Sequence, residues 1–144
     1  MKKMEVFEDL QNIKSCPIEV ALNIIGKKWS IQIIRDLFQG KKRFTDFLEA
    51  NPQISTKMLS SRLKELQISG LIEKRVISAT PVRIKYSLTQ KGRDLNRVLF
   101  HLAEFSLRNY PSKVYNKKSK SIELDILNLK KFFEIDDSLL ISDF

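Results

Sequence analysis

The groups in this 144-residue chain best suited to chemistry are short hydroxyls and cations set close together. Ser55 is followed by Thr56, Lys57, Ser60, Ser61, Arg62 and Lys64, and Arg75, Arg83 and Lys85 come soon after. Such side chains hydrogen-bond base edges and neutralise phosphates. Arg43, directly behind Lys41 and Lys42, adds a basic turn upstream. Arg62 has two readings, a phosphate contact or a pair with Glu65 on its own helix. Catalytic groupings are missing. Gly26, Gly40, Gly70 and Gly92 all fall at element ends and form no phosphate-cradling loop. The lone histidine, His101, sits on the apolar side of an expected helix and reads as a packed residue. Asp136 and Asp137 have no companion ligands, and Cys16 with His101 lacks the third group of a thiol catalyst. No enzymatic activity, cofactor or metal site is therefore expected. Cys16 precedes Pro17, which places its thiol at a helix N-terminus, where free N–H groups and the helix dipole favour negative charge. It is a candidate redox-sensing thiol; the plainer reading is a capping cysteine that packs and reacts with nothing. One cysteine can form no intrachain disulfide, which suits a reducing compartment.

Elements must hold these groups in place. Leu59, Leu63 and Leu66 recur at i, i+4 and i+7 with Met58 beside them, while Thr56, Lys57, Ser60, Ser61 and Lys64 take the opposite side. Ser55 is a good N-cap for that helix, and Gly70 stops it. Alone, this is also the pattern of any amphipathic helix with a solvated face. Its neighbours change the reading. A short helix with Phe44, Phe47 and Leu48 precedes it and ends at Asn51-Pro52. Two alternating segments follow, from Ile72 and from Val82 to Leu88, joined at Thr80-Pro81. Helix, turn, helix and basic hairpin is the order of a winged helix-turn-helix, mostly α with a small β-hairpin wing, which sets one helix and one hairpin against double-stranded DNA. Lysines on an edge strand also serve simply to block aggregation, yet both arms here are basic beside a candidate reading helix. A winged helix used only as a protein-interaction module is the alternative.

Upstream, Pro17 opens a helix with Ile18, Ala21, Leu22 and Ile25 on one face, ended by Gly26. A second runs from Trp29 or Ser30 to Phe38, with Trp29, Ile33, Ile34, Leu37 and Phe38 expected to be buried and Gly40 as its stop. Downstream, Thr89 caps one long helix to about Asn109. Its Leu95, Val98, Leu99, Leu102 and Phe105 exceed what one small core needs, so a homodimer is expected.

The apolar share of 42% fits a packed domain. The net charge of +9 lies within residues 1–110, and 111–144 is balanced; a basic field favours polyanions. The organisation expected is a polar lead over 1–15, with Met4, Phe7, Leu10 and Ile13 marking a weak helix, then a DNA-binding and dimerisation domain over 16–110. A Lys/Ser-rich linker and a helical tail, with Ile122, Ile126, Leu129 and Phe133 on one side, fill 111–144. Glu5, Glu8 and Asp9 interrupt any signal-peptide core. No apolar run nears the ~20 residues that span a bilayer. A cytoplasmic protein with no membrane partner is expected, and the sequence leaves the identity of a small-molecule effector open.

Several stretches in order carry a family resemblance: Cys16-Pro17-Ile18-Glu19, Gly26-Lys27-Lys28-Trp29, Arg43-Phe44 with Phe47-Leu48, Ile54-Ser55-Thr56-Lys57-Met58-Leu59, Arg62-Leu63-Lys64-Glu65-Leu66, Gly70-Leu71-Ile72 and Tyr86-Ser87-Leu88-Thr89-Gln90-Lys91-Gly92. Over roughly residues 15–108 the chain resembles the HxlR-type winged helix-turn-helix transcriptional regulators of bacteria and archaea. The resemblance implies a homodimer joined through the N-terminal helix region and the long helix after the wing, bound to paired operator half-sites. It also implies that the cysteine at the position of Cys16 senses electrophiles, disulfide stress or aldehydes in some relatives. Thr80-Pro81 stands where a double proline is common, and Lys85 where an acidic residue is common. The tail over 112–144 extends past the usual family end.

Overall fold

A computed structural model of the chain describes residues 12–117 and 121–137. The weak helix expected within 1–13, part of the linker and the last residues of the tail lie largely outside that range. The contacts divide the chain into two compact units between Ser87 and Leu88.

In the first unit α1 is Pro17–Ile25, α2 Ser30–Phe38, α3 Phe44–Ala50 and α4 Thr56–Ile68, followed by β1, Ile72–Ala79, and β2, Val82–Leu88, which form one two-stranded sheet. Helices α2, α3 and α4 pack on one another. Their core is Ile33, Ile34 and Leu37 from α2, Phe47 from α3, and Leu59, Leu63 and Leu66 from α4, all buried. The helical stripe expected on α4 is thus the packed side. Gly40 and Gly70 end α2 and α4 at φ 86° and 76°, a region open to glycine without a Cβ clash.

Two expectations for these helices, the burial of Trp29 and of Phe38, need correction. On α1 the apolar face read from the sequence is open: Ile18 and Leu22 are exposed, as are Val20 and Ile24, and only Ile25 is buried. Periodicity marks a stripe that favours cover but does not say that the same chain supplies it. Trp29 is only half-buried because it lies outside α2 as its N-cap, at φ 78°, with the Lys28 ammonium 5.2 Å from its ring centre. Phe38, the last residue of α2, is half-buried as well.

The second unit holds α5, Gln90–Arg93, α6, Asn96–Asn109, α7, Pro111–Val114, and α8, Ile122–Phe132. The single long helix expected from Thr89 is broken. Thr89 Oγ1 caps a first turn by accepting from the Gly92 amide at 3.1 Å, and the Leu95 amide then closes on the Gly92 carbonyl. Glycine weakens the helix there, and Asn96 diverts its side chain to backbone groups, accepting from the Arg97 amide and donating to the Phe133 carbonyl. His101 is not packed: its side chain is 59% exposed and pairs with Glu104 at 3.2 Å. It stands at the polar margin of the stripe, where counting residues cannot separate inside from outside.

On α6, Leu99, Phe100 and Leu107 are buried while Val98, Leu102 and Phe105 are exposed. Helix α8 packs on α6. Its buried Ile126 and the adjoining Phe133 belong to the stripe read from the sequence, and Arg108 reaches Glu123 at 2.7 Å. The Tyr115 hydroxyl donates to Asp125.

Candidate nucleic-acid interface

The candidate site is built on a rigid platform. Asp36 on α2 has its side chain within the protein, 1% exposed. Its Oδ2 accepts from Asn51 Nδ2 at 2.7 Å, and its Oδ1 accepts from Arg35 Nε and Nη2 at 3.0 and 2.8 Å. Asn51 also donates to the Phe47 carbonyl at 2.9 Å and accepts from Arg35 at 3.1 Å. A buried carboxylate is stable only when its lone pairs are answered, as they are here. The network joins α2 to the end of α3 and so sets the turn that leads into α4. Asn51, read from the sequence only as half of a helix stop, is part of that clamp.

Below the clamp, Asp46 Oδ2 accepts from the amides of Arg43 and Lys42 at 2.9 and 3.1 Å. The Arg43 amide first, then that of Lys42, holds the Asp46 carboxyl below the usual carboxylate range. The Lys42 carbonyl accepts from the Tyr86 amide at 2.8 Å, which ties the hairpin to the start of α3. Burial raises the Tyr86 phenol above its ordinary value, and its ring meets Phe47 edge-on, 6.1 Å between centres.

Helix α4 begins at Ser55, whose Oγ accepts from the Met58 amide at 3.0 Å. That cap occupies the Ser55 hydroxyl. Thr56, Lys57, Ser60, Ser61 and Lys64 are all exposed, on the side away from the leucines. Arg62 takes the second of its two readings. Its side chain is 14% exposed, its Nη1 meets Glu65 at 3.0 Å, and its Nε donates to the Lys28 carbonyl at 2.8 Å. It fastens α4 to the turn between α1 and α2 and does not reach outward. Lys27 joins the same carboxylate at 3.3 Å.

The two faces of the hairpin differ. Ser87 Oγ donates to Glu73 at 3.3 Å, and Arg75 pairs with Glu73 at 3.1 Å. Strand alternation sets Arg83 and Lys85 on that same face with Ser87. The opposite face carries Lys74 and Tyr86, which line a groove of about 520 Å³ with Ser60, Ser61, Lys64 and Gln67 of α4. Of the residues singled out from the sequence, Ser60, Ser61 and Lys64 meet in the groove and Arg75, Arg83 and Lys85 lie on the far face, while Arg43, Ser55, Thr56, Lys57 and Arg62 belong to neither set. Lys74 and Gln67 were missed. Alternation alone assigns residues to two faces without saying which one adjoins α4. Among the described residues, no group of three or more His, Cys, Asp or Glu is placed to hold a metal ion, and no helix is long and apolar enough to cross a membrane.

A helix-turn-helix of α3 and α4 with a hairpin wing beside the second helix defines a winged helix-turn-helix protein. The family model described as HxlR-like helix-turn-helix matches residues 24–114, and the chain belongs to that family. It is a DNA-binding transcriptional regulator. The HTH-type transcriptional regulator YodB of Bacillus subtilis (strain 168) is 45% identical over 84 residues, covering 58% of this chain and 75% of that protein. YdeP of the same organism, also named an HTH-type transcriptional regulator, is 36% identical over 104 residues, covering 72% of this chain and 81% of its own. Among solved structures, the redox regulator HypR in its reduced form superposes with a TM-score of 0.64 at 33% identity, over 69% of this chain and 100% of that one. The family match ends at residue 114, so α8 lies beyond it.

Proposed function

We propose that this regulator binds operator DNA as a homodimer, with α4 in the major groove and the wing against the adjoining backbone. The observation that carries the reading is the exposed face of α4. Thr56, Ser60 and Ser61 present short donors and acceptors suited to base edges, and Lys57 and Lys64 flank them with cations. Arg43 and Arg83 are exposed cations on the same unit, whereas Arg75 is partly answered by Glu73 and Lys85 is half-buried. Arg62 and Ser55 hold α4 in position. The open apolar stripes on α1 and on α6 support the homodimer, since exposed patches of this kind mark interaction surfaces. Two-fold pairing would set the reading helices ~34 Å apart, one DNA turn. Residues 16–110 would then supply both DNA binding and dimerisation, and 111–144 a linker and a helical tail that braces α6. Cytoplasmic location follows from a DNA target.

The test is fluorescence anisotropy with a labelled duplex across a salt series. Lys57→Ala and Arg83→Ala should each flatten the dependence of log K on log salt, because each removes a phosphate contact from both subunits. Ser60→Ala and Ser61→Ala should change sequence preference more than slope. Salt-independent binding, or a monomer by light scattering at micromolar concentration, would sink the reading.

A second proposal concerns Cys16. It is half-buried at the head of α1, with no side-chain cap bond, so its thiol is not committed to the helix end. Similar structures include YodB in a reduced form and after diamide treatment, and the redox regulator HypR in an oxidized form. An oxidant such as diamide, taking up the two thiol hydrogens, would join Cys16 to a second thiol, that of the partner subunit or of a small molecule, as a disulfide at the head of α1, and so would disturb subunit pairing.

A further inference from the structure

We propose that the groove between α4 and the inner face of the wing holds a DNA backbone phosphate, gripped from its two walls by Lys64 and Lys74. The inference rests on the DNA-binding reading and deepens it by choosing among the wing's cations. Both lysines are exposed, and both line the groove with Ser60, Ser61 and Gln67. They approach from different elements, so a polyanion lying there meets positive charge on each side. Two hydroxyls and the Gln67 amide, whose Nε2 donates to the Leu63 carbonyl at 3.3 Å and whose oxygen stays available, add neutral hydrogen-bonding groups. The volume, about 520 Å³, lies within the ~300–1,000 Å³ of sites that take a group of drug size, so a sugar-phosphate unit fits.

The outer face of the hairpin offers less. Glu73 stands among its cations, bonded to Arg75 at 3.1 Å and to Ser87 at 3.3 Å. A carboxylate repels the phosphate that Arg75 would attract, whereas no acidic side chain lines the inner groove. The inner face also adjoins the reading helix, so a strand following α4 out of the major groove passes Lys74 before it reaches Arg75 or Lys85. The wing therefore grips DNA through Lys74 together with the exposed Arg83, unanswered among the described residues, and Arg75 and Lys85 play the smaller part.

The experiment measures binding of the full chain to two fluorescent 30-base-pair duplexes of unrelated sequence across a salt series. Lys74→Gln and Lys64→Gln should each flatten the slope of log K against log salt by about 1.8, two phosphate contacts per dimer at ~0.9 each. The loss should be equal on both duplexes, since a phosphate contact carries no sequence information. Lys74→Arg should keep the wild-type slope. Arg75→Gln and Lys85→Gln should change it by less than about half as much. Unaltered thermal unfolding of Lys74→Gln would show that the variant is folded. A wild-type slope in Lys74→Gln, or equal losses in Arg75→Gln, would overturn the inference while wild-type binding stands. Wild-type protein that binds neither duplex would remove the DNA reading itself.

Discussion

Replacing Asn51 with alanine should unfold the platform beneath α4 far more easily than its size suggests. The amide donates to the buried Asp36 carboxylate at 2.7 Å and to the Phe47 carbonyl at 2.9 Å. A hydrogen bond to a charged group contributes about 1.5–3 kcal/mol, and a neutral one about 1. Alanine can answer neither acceptor, and Asn51 is itself only 5% exposed, so water does not readily take its place. The expected loss is about 3 kcal/mol, or roughly 10 °C in melting temperature for a chain of this size. A matched control lies in the second unit, where Asn109 donates to the Phe105 carbonyl at 2.9 Å on an exposed surface. Asn109→Ala should cost about 0.5 kcal/mol or less. Urea unfolding of both variants, at one protein concentration because dimerisation would couple to stability, makes the comparison. An Asp36→Ala, Asn51→Ala pair completes a double-mutant cycle and should show strong coupling. Equal midpoints for Asn51→Ala and Asn109→Ala would refute the reasoning, since the two bonds differ chiefly in burial and in the charge they serve.

Other consequences follow from titrating groups and from the thiol. Tyr86 has a folded pKa raised by burial, so its contribution to stability is complete below the unfolded value near 10 and declines as pH rises through the folded one; Tyr86→Phe should remove that alkaline decline in urea midpoints. Asp46 behaves in the opposite sense, because its lowered pKa gives a contribution present above the ordinary value of 3.8 and lost as pH falls through the folded one. Asp46→Asn should flatten the acid limb of the stability profile, and an unchanged limb would contradict the bonding at the head of α3. For Cys16, diamide or a quinone should change the DNA affinity of the wild type and leave Cys16→Ser unaffected. If the wild type is untouched at every dose, the cysteine is structural.

The order of elements was legible in the sequence because it depends on local signals. Ser55 and Gly70 bracket α4, the leucines at 59, 63 and 66 declare its inner side, and strict alternation from Val82 to Leu88 declares a strand. Each is a short-range consequence of helical or extended geometry, which a linear chain displays directly. The polar face of α4 followed for the same reason, as the complement of a buried stripe.

Tertiary structure decided what depends on partners distant along the chain. Arg62 could have turned to a phosphate or to Glu65, and the Lys28 carbonyl, 34 positions away, helps to hold it inward. The clamp of Asp36 with Asn51 spans 15 positions and unites two polar residues that no local pattern joins. Lys74 and Lys85 alternate on equal terms in the sequence, and only the docking of the hairpin beside α4 sets the first in a groove and the second on the far face. The stripes on α1 and α6 were readable as apolar, and the one on α6 as more than a single core needs, but which residues stay open was not, because periodicity records which side of a helix avoids water and not which positions its own chain can reach to cover.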